Sequence, residues 1–315
     1  MKKALIIGGA GFVGQHLARH LHDDLGWQTA VTKLPFETPT LPFADVYDLD
    51  ILDQEAVTGL LTRVQPDYIF HLAAQSSAAL SWKKPAMTVD INIKGAVNVL
   101  EAVRALPRQP RVLLIGSSEE YGKVSEAECP ITEKQEARPG NIYAATKVCQ
   151  EMIGKLYADA YQMDVMATRS FNHVGPGQAP IFVVADFCKQ VAEVENGQRE
   201  PVLRVGNLAA ARDFTDVRDV VRAYALLAQN GRRGEIYNVG TGRAVTIESI
   251  LQMILRQSGA SIRVEKDPER FRPLDAPLNV ADISKLRADT QWQPVIPLEQ
   301  TLQDTLNEWR KAVSC

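Results

Sequence analysis

Tyr143 and Lys147 stand four residues apart in Tyr-Ala-Ala-Thr-Lys, downstream of Ser117, which follows the apolar run Val112-Leu-Leu-Ile115. On a helix this spacing puts the phenol and the ammonium on one face, within reach of a single point. An ammonium beside a phenol favours the phenolate, so Tyr143 is expected to have a lowered pKa and to exchange a proton near neutral pH. The Ser117 hydroxyl would then hold a substrate oxygen between the two. Taken alone, a tyrosine–lysine pair reads equally well as a solvated helix face. Its company argues otherwise: a glycine turn, Gly8-Gly-Ala-Gly11-Phe-Val-Gly14, lies ahead of it directly after an apolar run.

The elements that must position these residues are legible as alternating patterns. Residues 3–8, Gln28–Thr32, Tyr68–Leu72, Val112–Ile115 and Val165–Arg169 read as short strands. Phe12 to about Leu25 and the stretches near 54–64, 88–105 and 143–160 have helical spacing. Strand–helix alternation predicts an α/β protein with a Rossmann-type, doubly wound parallel sheet. After about Asn172 prolines and glycines become frequent and the alternation weakens, which predicts a smaller C-terminal substrate-binding lobe. A helix from Val217 to Gln229 is expected to return to the main sheet. The dinucleotide domain is therefore drawn as 1–171 plus about 217–242, and the lobe as about 172–216 plus 243–315.

Gly8, Gly11 and Gly14 follow a strand and open a helix, where a tight turn and close backbone approach suit a pyrophosphate at a helix N-terminus. Phe12 and Val13, inside the turn, join the expected cofactor contacts. The second strand ends Thr32-Lys33-Leu-Pro without the acid that grips an adenosine ribose. Lys33 instead suits a 2′-phosphate, or is a solvated loop lysine; on the first reading NADP(H) is expected over NAD(H). Asp50 and Ile51 are placed to meet the adenine, and Asp53 to cap the following helix.

Composition limits the alternatives. The chain has 315 residues, 45% hydrophobic and 23% charged, with a net charge of −3 and no basic block. This suits a soluble globular protein with a sizeable core and gives no nucleic-acid footprint. No apolar stretch is long enough for a membrane span, and the short N-terminal apolar run belongs to the glycine pattern rather than to a signal peptide, so a cytoplasmic location is expected. Cys129, Cys149, Cys188 and Cys315 are scattered and read as reduced thiols. His16 and His20 share a helical face, but Leu17 stands where a zinc protease needs glutamate, so no metal site is expected.

Taken together, the glycine turn, His71-Leu-Ala-Ala74, Ser117 after its strand, Tyr143-x-x-x-Lys147 and Arg169-Ser-Phe-Asn172-His-Val-Gly175-Pro176 resemble the extended short-chain dehydrogenase/reductase family, in its nucleotide-sugar branch. The resemblance runs from residue 1 to about 305. Within that branch the chain is similar to the GDP-mannose group, through Ala73-Ala-Gln-Ser-Ser77, Ser117-Ser-Glu-Glu-Tyr-Gly122, Phe171-Asn-His-Val-Gly-Pro-Gly-Gln178 and Arg212-Asp-Phe-Thr-Asp-Val-Arg-Asp219. The resemblance implies a catalytic triad of Ser117, Tyr143 and Lys147. It implies that Leu72, Ala73, Ala74 and Asn92 line the cofactor cleft, and that Phe171 and His173 approach the nicotinamide. Substrate contacts are expected from Ser76, Ser117, Ser118 and Asn172, with Lys189, Arg212 and Arg272 on the phosphates.

The implied activity is NADPH-dependent reduction of the C4 ketone of a GDP-linked 4-keto-6-deoxyhexose. Glu119 stands where dehydratases of the group hold the glutamate that removes the proton next to the ketone, so 4,6-dehydration, alone or alongside reduction, stays open. A UDP-hexose 4-epimerase shares the triad and is the next alternative. A non-catalytic NADP-binding regulator is disfavoured, because both Tyr143 and Lys147 are kept. The resemblance also implies a homodimer through the helices near 88–105 and 143–160.

Overall fold

Apolar runs that alternate with amphipathic helices pair here as parallel strands, buried on both faces. The computed structural model describes residues 1–268 and 278–314. Its strands are β1 (Lys3–Ile7), β2 (Gln28–Lys33), β3 (Asp45–Asp48), β4 (Tyr68–His71), β5 (Arg111–Ser117), β6 (Val165–Ser170), β7 (Asn172–Val174), β8 (Val202–Val205), β9 (Ala211–Asp216), β10 (Ile236–Val239), β11 (Ala244–Thr246), β12 (Arg263–Lys266) and β13 (Leu278–Asn279). The helices are α1 (Phe12–Arg19), α2 (Gln54–Val64), α3 (Ala78–Lys83), α4 (Pro85–Val89), α5 (Gly95–Arg104), α6 (Ile142–Ala160), α7 (Val183–Glu195), α8 (Val217–Asn230), α9 (Ile247–Gln257), α10 (Ser284–Thr290) and α11 (Leu298–Ser314).

Seven strands form one parallel sheet in the order β10-β6-β5-β4-β1-β2-β3. The chain steps outward from β1 through β2 to β3, then returns to place β4 on the other side of β1. At such a reversal the flanking loops diverge and leave a crevice beyond the carboxyl ends of the strands. One face of the sheet is covered by Leu17, Ala18, Val220, Tyr224 and Leu227, from α1 and α8. The other is covered by Val57, Leu61, Val99, Val103 and Ala158, from α2, α5 and α6. Asp53 caps α2 as expected, its carboxylate accepting from the Ala56 N–H at 2.9 Å.

The smaller lobe has its own core of Val184, Phe187, Val191, Leu203, Phe214, Ile250, Leu251, Ile254 and Leu302. Its strands form two small sheets, β11-β9-β13 with β7 alongside β9, and β12-β8. Residues 281–292 depart from the drawn boundary. Ala281, Ile283, Leu286 and Trp292 are buried in the core of the dinucleotide domain, and the Trp292 indole donates to the Asp219 carbonyl at 3.0 Å. The two bodies are joined at Asp216, which caps α8 through the Arg218 N–H and also accepts from Thr301 of α11, each at 2.7 Å. Arg218 then bridges Asp216 and Asp304, at 2.7 and 2.8 Å. No helix among the described residues is long and apolar enough to cross a membrane.

Candidate active site

The glycine turn lies at the crevice. Gly8 adopts φ +83°, in the left-handed region, and a Cβ placed there would lie 2.6 Å from the Ala73 nitrogen. Strands β1 and β4 are pinned together at this level, where the Leu72 and Ala73 N–H groups donate to the Ile7 carbonyl at 2.9 and 2.8 Å. A Cβ on Gly14 would lie 2.6 Å from Gly9, so α1 sits directly on the turn. A Cβ on Gly11, at the start of α1, would meet only the Gly8 carbonyl, at 3.5 Å, which leaves the helix N-terminus open to an anion. This cradle of backbone, too narrow for side chains, fits a dinucleotide pyrophosphate. The half-buried Leu72, Ala73 and Ala74 form its opposite wall. Val13 packs against the dinucleotide-domain core.

Several expected cofactor contacts have other partners. Phe12 stacks on His173, with ring centroids 6.2 Å apart, so this pair clamps the turn to β7. Phe171 is buried beside Tyr121 in the core. Ile51 is likewise a core side chain, and Asp50 accepts from the Leu52 N–H at 2.9 Å. Asn92 is fully buried; it bonds both main-chain groups of Gln75 and the Thr146 hydroxyl, bracing the loop after Ala74 against α6. Lys33 pairs with Asp48 at 2.6 Å, directly across the β2–β3 pairing. An acid missing from the second strand is thus supplied by the third. His16 bonds the Pro176 carbonyl at 2.8 Å and His20 pairs with Asp24 at 2.7 Å, so these two histidines work separately.

The three residues expected to be catalytic converge at the carboxyl end of β5. Ser117 ends the strand and starts a tight 3₁₀ turn, its hydroxyl accepting from the Glu119 N–H at 3.2 Å. Tyr143 lies in the first turn of α6 with the Ser117 side chain beside its phenol. That turn is fixed by Asn141, whose side chain accepts from the Ala144 N–H and donates to Glu119, both at 2.8 Å. Lys147, one turn further on, is buried with Nζ 2.7 Å from the Ile115 carbonyl and 3.1 Å from Gln150 Oε1.

The electrostatics differ from the expectation in one respect. Burial raises the Tyr143 pKa above the ordinary phenol value, Ser117 pulls it back, and Glu120 and Glu119 add to the rise. Burial also lowers Lys147 to about 8, against support from Glu120. The amine is committed to Ile115 and Gln150, and desolvation outweighs any help it gives the phenolate. The resting Tyr143 is a neutral phenol.

The residues expected to contact substrate are less concentrated. Ser76 is exposed in the loop after Gln75, and Asn172 is exposed at the start of β7. Arg212 lies in the same small sheet on β9, its guanidinium donating to the Ala211 carbonyl at 2.9 Å. Ser118, in the 3₁₀ turn, is 4% exposed and offers little surface to a ligand. Lys189 forms an ion pair with Glu193 one helical turn along α7. Arg272 lies outside the described residues, as does Cys315.

Sequence reasoning missed a buried ionic group behind this site. Arg169 grips Glu151 through two hydrogen bonds of 2.8 and 2.7 Å, and its guanidinium lies 4.6 Å from the centre of the Tyr121 ring. Glu120 is fully buried next to it. Adjacent Glu119 and Glu120 look alike in sequence, and only the 3₁₀ turn sends one outward and the other inward.

The geometry agrees with comparisons to known proteins. The model of the GDP-mannose 4,6 dehydratase family matches residues 5–305. A GDP-6-deoxy-D-mannose reductase from Pseudomonas aeruginosa is 32% identical over 99% of this chain and 98% of its own. A GDP-mannose 4,6-dehydratase from Yersinia enterocolitica is 28% identical over 95% of this chain and 91% of its own. The structure of RMD from Pseudomonas aeruginosa complexed with NADPH superposes with a TM-score of 0.88 at 30% identity, covering 99% of this chain and all of that one. The chain belongs to the GDP-mannose 4,6-dehydratase family, in the nucleotide-sugar branch of the extended short-chain dehydrogenases/reductases.

Proposed function

We propose that this protein reduces the C4 ketone of GDP-4-keto-6-deoxy-D-mannose with NADPH, giving GDP-D-rhamnose. The observation that carries this reading is the Tyr143 phenol set beside Ser117, with Lys147 one helical turn on, at the mouth of a dinucleotide crevice. It stands in a chain similar along its whole length to a GDP-6-deoxy-D-mannose reductase. When bound, the reduced nicotinamide supplies hydride to C4. Tyr143 then gives its proton to the oxygen that gains charge, and Ser117 hydrogen-bonds the same oxygen as charge develops. Lys147 would hold the nicotinamide ribose in exchange for its Gln150 partner. The glycine turn seats the pyrophosphate, and Lys33 takes the 2′-phosphate in exchange for Asp48. Asp50, in the loop before α2, and His173, on β7, border the cofactor. Ser76, Asn172, Lys189, Arg212 and Arg272 serve the GDP-sugar.

Mixing the protein with NADPH and GDP-4-keto-6-deoxy-D-mannose is expected to consume NADPH absorbance and yield a GDP-6-deoxyhexose. Absence of oxidation at any substrate concentration overturns the reading. A second reading, 4,6-dehydration of GDP-mannose, is favoured by one observation: Glu119 is exposed at the cleft and tethered by Asn141, as a base acting beside C4 needs to be. Formation of the 4-keto sugar from GDP-mannose would establish it.

We further propose a homodimer through α4, α5 and α6, in a reducing cytoplasm that suits the free thiols of Cys129, Cys149 and Cys188. Val89, Met152 and Leu156 are 41, 59 and 63% exposed on these helices, an apolar surface that a second copy would cover. Replacing Met152 and Leu156 together with glutamate is expected to convert a dimer to a monomer in sedimentation. An unchanged sedimentation coefficient would place the interface elsewhere.

A further inference from the structure

Glu120 sits directly beneath the catalytic pair, in surroundings that leave its charge unbalanced. One carboxyl oxygen accepts from the Ser117 N–H at 2.7 Å. The other makes no hydrogen bond among the described residues and lies 3.6 Å from Arg169 Nε. That arginine is already taken by Glu151, which holds both arms of its fork. Two buried acids therefore share one guanidinium, and Glu120 has the longer, weaker hold on it. A buried carboxylate so weakly paired is costly, so such a group takes up a proton or draws on the next available cation.

That cation is Lys147. Its Nζ hangs on the Ile115 carbonyl, two residues before the Ser117 N–H that Glu120 holds. The groups facing Glu120 are Glu151, Lys147 and Tyr143 from α6, Arg169 from β6, and Ser117 at the end of β5. Arg138 reaches it only through its main-chain N–H, its guanidinium being paired with Glu128. His71, which also faces Lys147, is held neutral by burial and adds no charge.

We propose that Glu120 is a positioning residue that sets the alkaline limit of the reaction: its carboxyl, excluded from the Arg169 fork by Glu151, governs from behind the cleft the charge on Lys147 and the acidity of Tyr143. The proposal rests on the reductase reading above. Burial and Glu151 both raise the Glu120 pKa, so the acid is protonated at neutral pH. As pH rises it ionises. The new negative charge holds the Lys147 proton and opposes loss of the Tyr143 proton, so both groups stay in their working forms further into alkaline solution. Glu119 also opposes Tyr143 ionisation, but from the exposed side, where water screens it.

Glu120→Gln keeps the acceptor for Ser117 and removes only the ionisable charge. Its kcat for NADPH oxidation is expected to fall away at a pH lower by about one unit than in the unsubstituted enzyme, with KM for NADPH little changed. A matching pH profile in a folded Glu120→Gln variant overturns the proposal, since packing alone would not move the limb. If that variant fails to fold, infrared spectra of the enzyme carrying isotope-labelled glutamate decide instead. A protonated glutamic acid band at neutral pH that vanishes toward alkaline pH supports the proposal, and no such band overturns it. If the unsubstituted enzyme fails to oxidise NADPH with the keto-sugar, the reductase reading fails first, and that outcome is distinct from an unshifted limb.

Discussion

Tyr143→Phe is expected to lower kcat by about 10²–10⁴-fold, the usual worth of a positioned general acid, while NADPH affinity stays nearly unchanged. Phenylalanine keeps the ring that packs in the first turn of α6 and removes only the hydroxyl beside Ser117. The glycine cradle and the Lys147 anchor on Ile115 do not depend on that hydroxyl. NADPH titration by fluorescence and single-turnover absorbance would separate the two effects. Loss of cofactor binding in the variant would show that the phenol is part of the binding site, and undiminished turnover would remove Tyr143 from the chemistry.

Gly8→Ala is expected to cut NADPH affinity at least about tenfold, because the turn has to move to admit one methyl group. At φ +83° an L-residue costs about 1–2 kcal/mol, and the added Cβ would lie 2.6 Å from the Ala73 nitrogen and 2.8 Å from its Cα. Relief separates the Gly8 turn from the Leu72–Ala74 wall, which are the two sides of the crevice. Gly59→Ala on α2 is the control, since nothing lies within 4 Å of that position. Equal affinity in the two variants would show that the turn does not hold the pyrophosphate.

The sequence was most readable where one chemical pattern is local. The runs at 3–8, 68–72 and 112–115 became β1, β4 and β5, and the helix read at 54–64 is α2, because continuous apolar strands and periodic helices each carry their signal within a few residues. Asp45-Val-Tyr-Asp48 carries no such signal. It becomes β3 because it extends the sheet beside β2, on an exposed edge where polar side chains are tolerated. The placement of the expected triad was legible for the same local reason, as Tyr143 and Lys147 share one helix and Ser117 ends one strand. What escaped was relational. Lys33 meets Asp48 only because β2 and β3 are in register, and Ile51 and Phe171 turn to the core because of what packs over them. Glu120 differs from Glu119 only in the direction the 3₁₀ turn gives it, and Ile283 and Trp292 rejoin the first domain against α8.

The order in which the strands are made differs from the order in which they pair, and this matters during synthesis. β6 is complete at Ser170, but its outer neighbour β10 begins only at Ile236, after the first segment of the smaller lobe and α8 have been made. Until then Val165, Met166 and Ala167, buried in the finished protein, lie on an unpaired strand edge that any other extended chain can join. The nascent enzyme therefore carries its greatest aggregation hazard in the interval between those two strands, and nothing in the mature fold retains a trace of it.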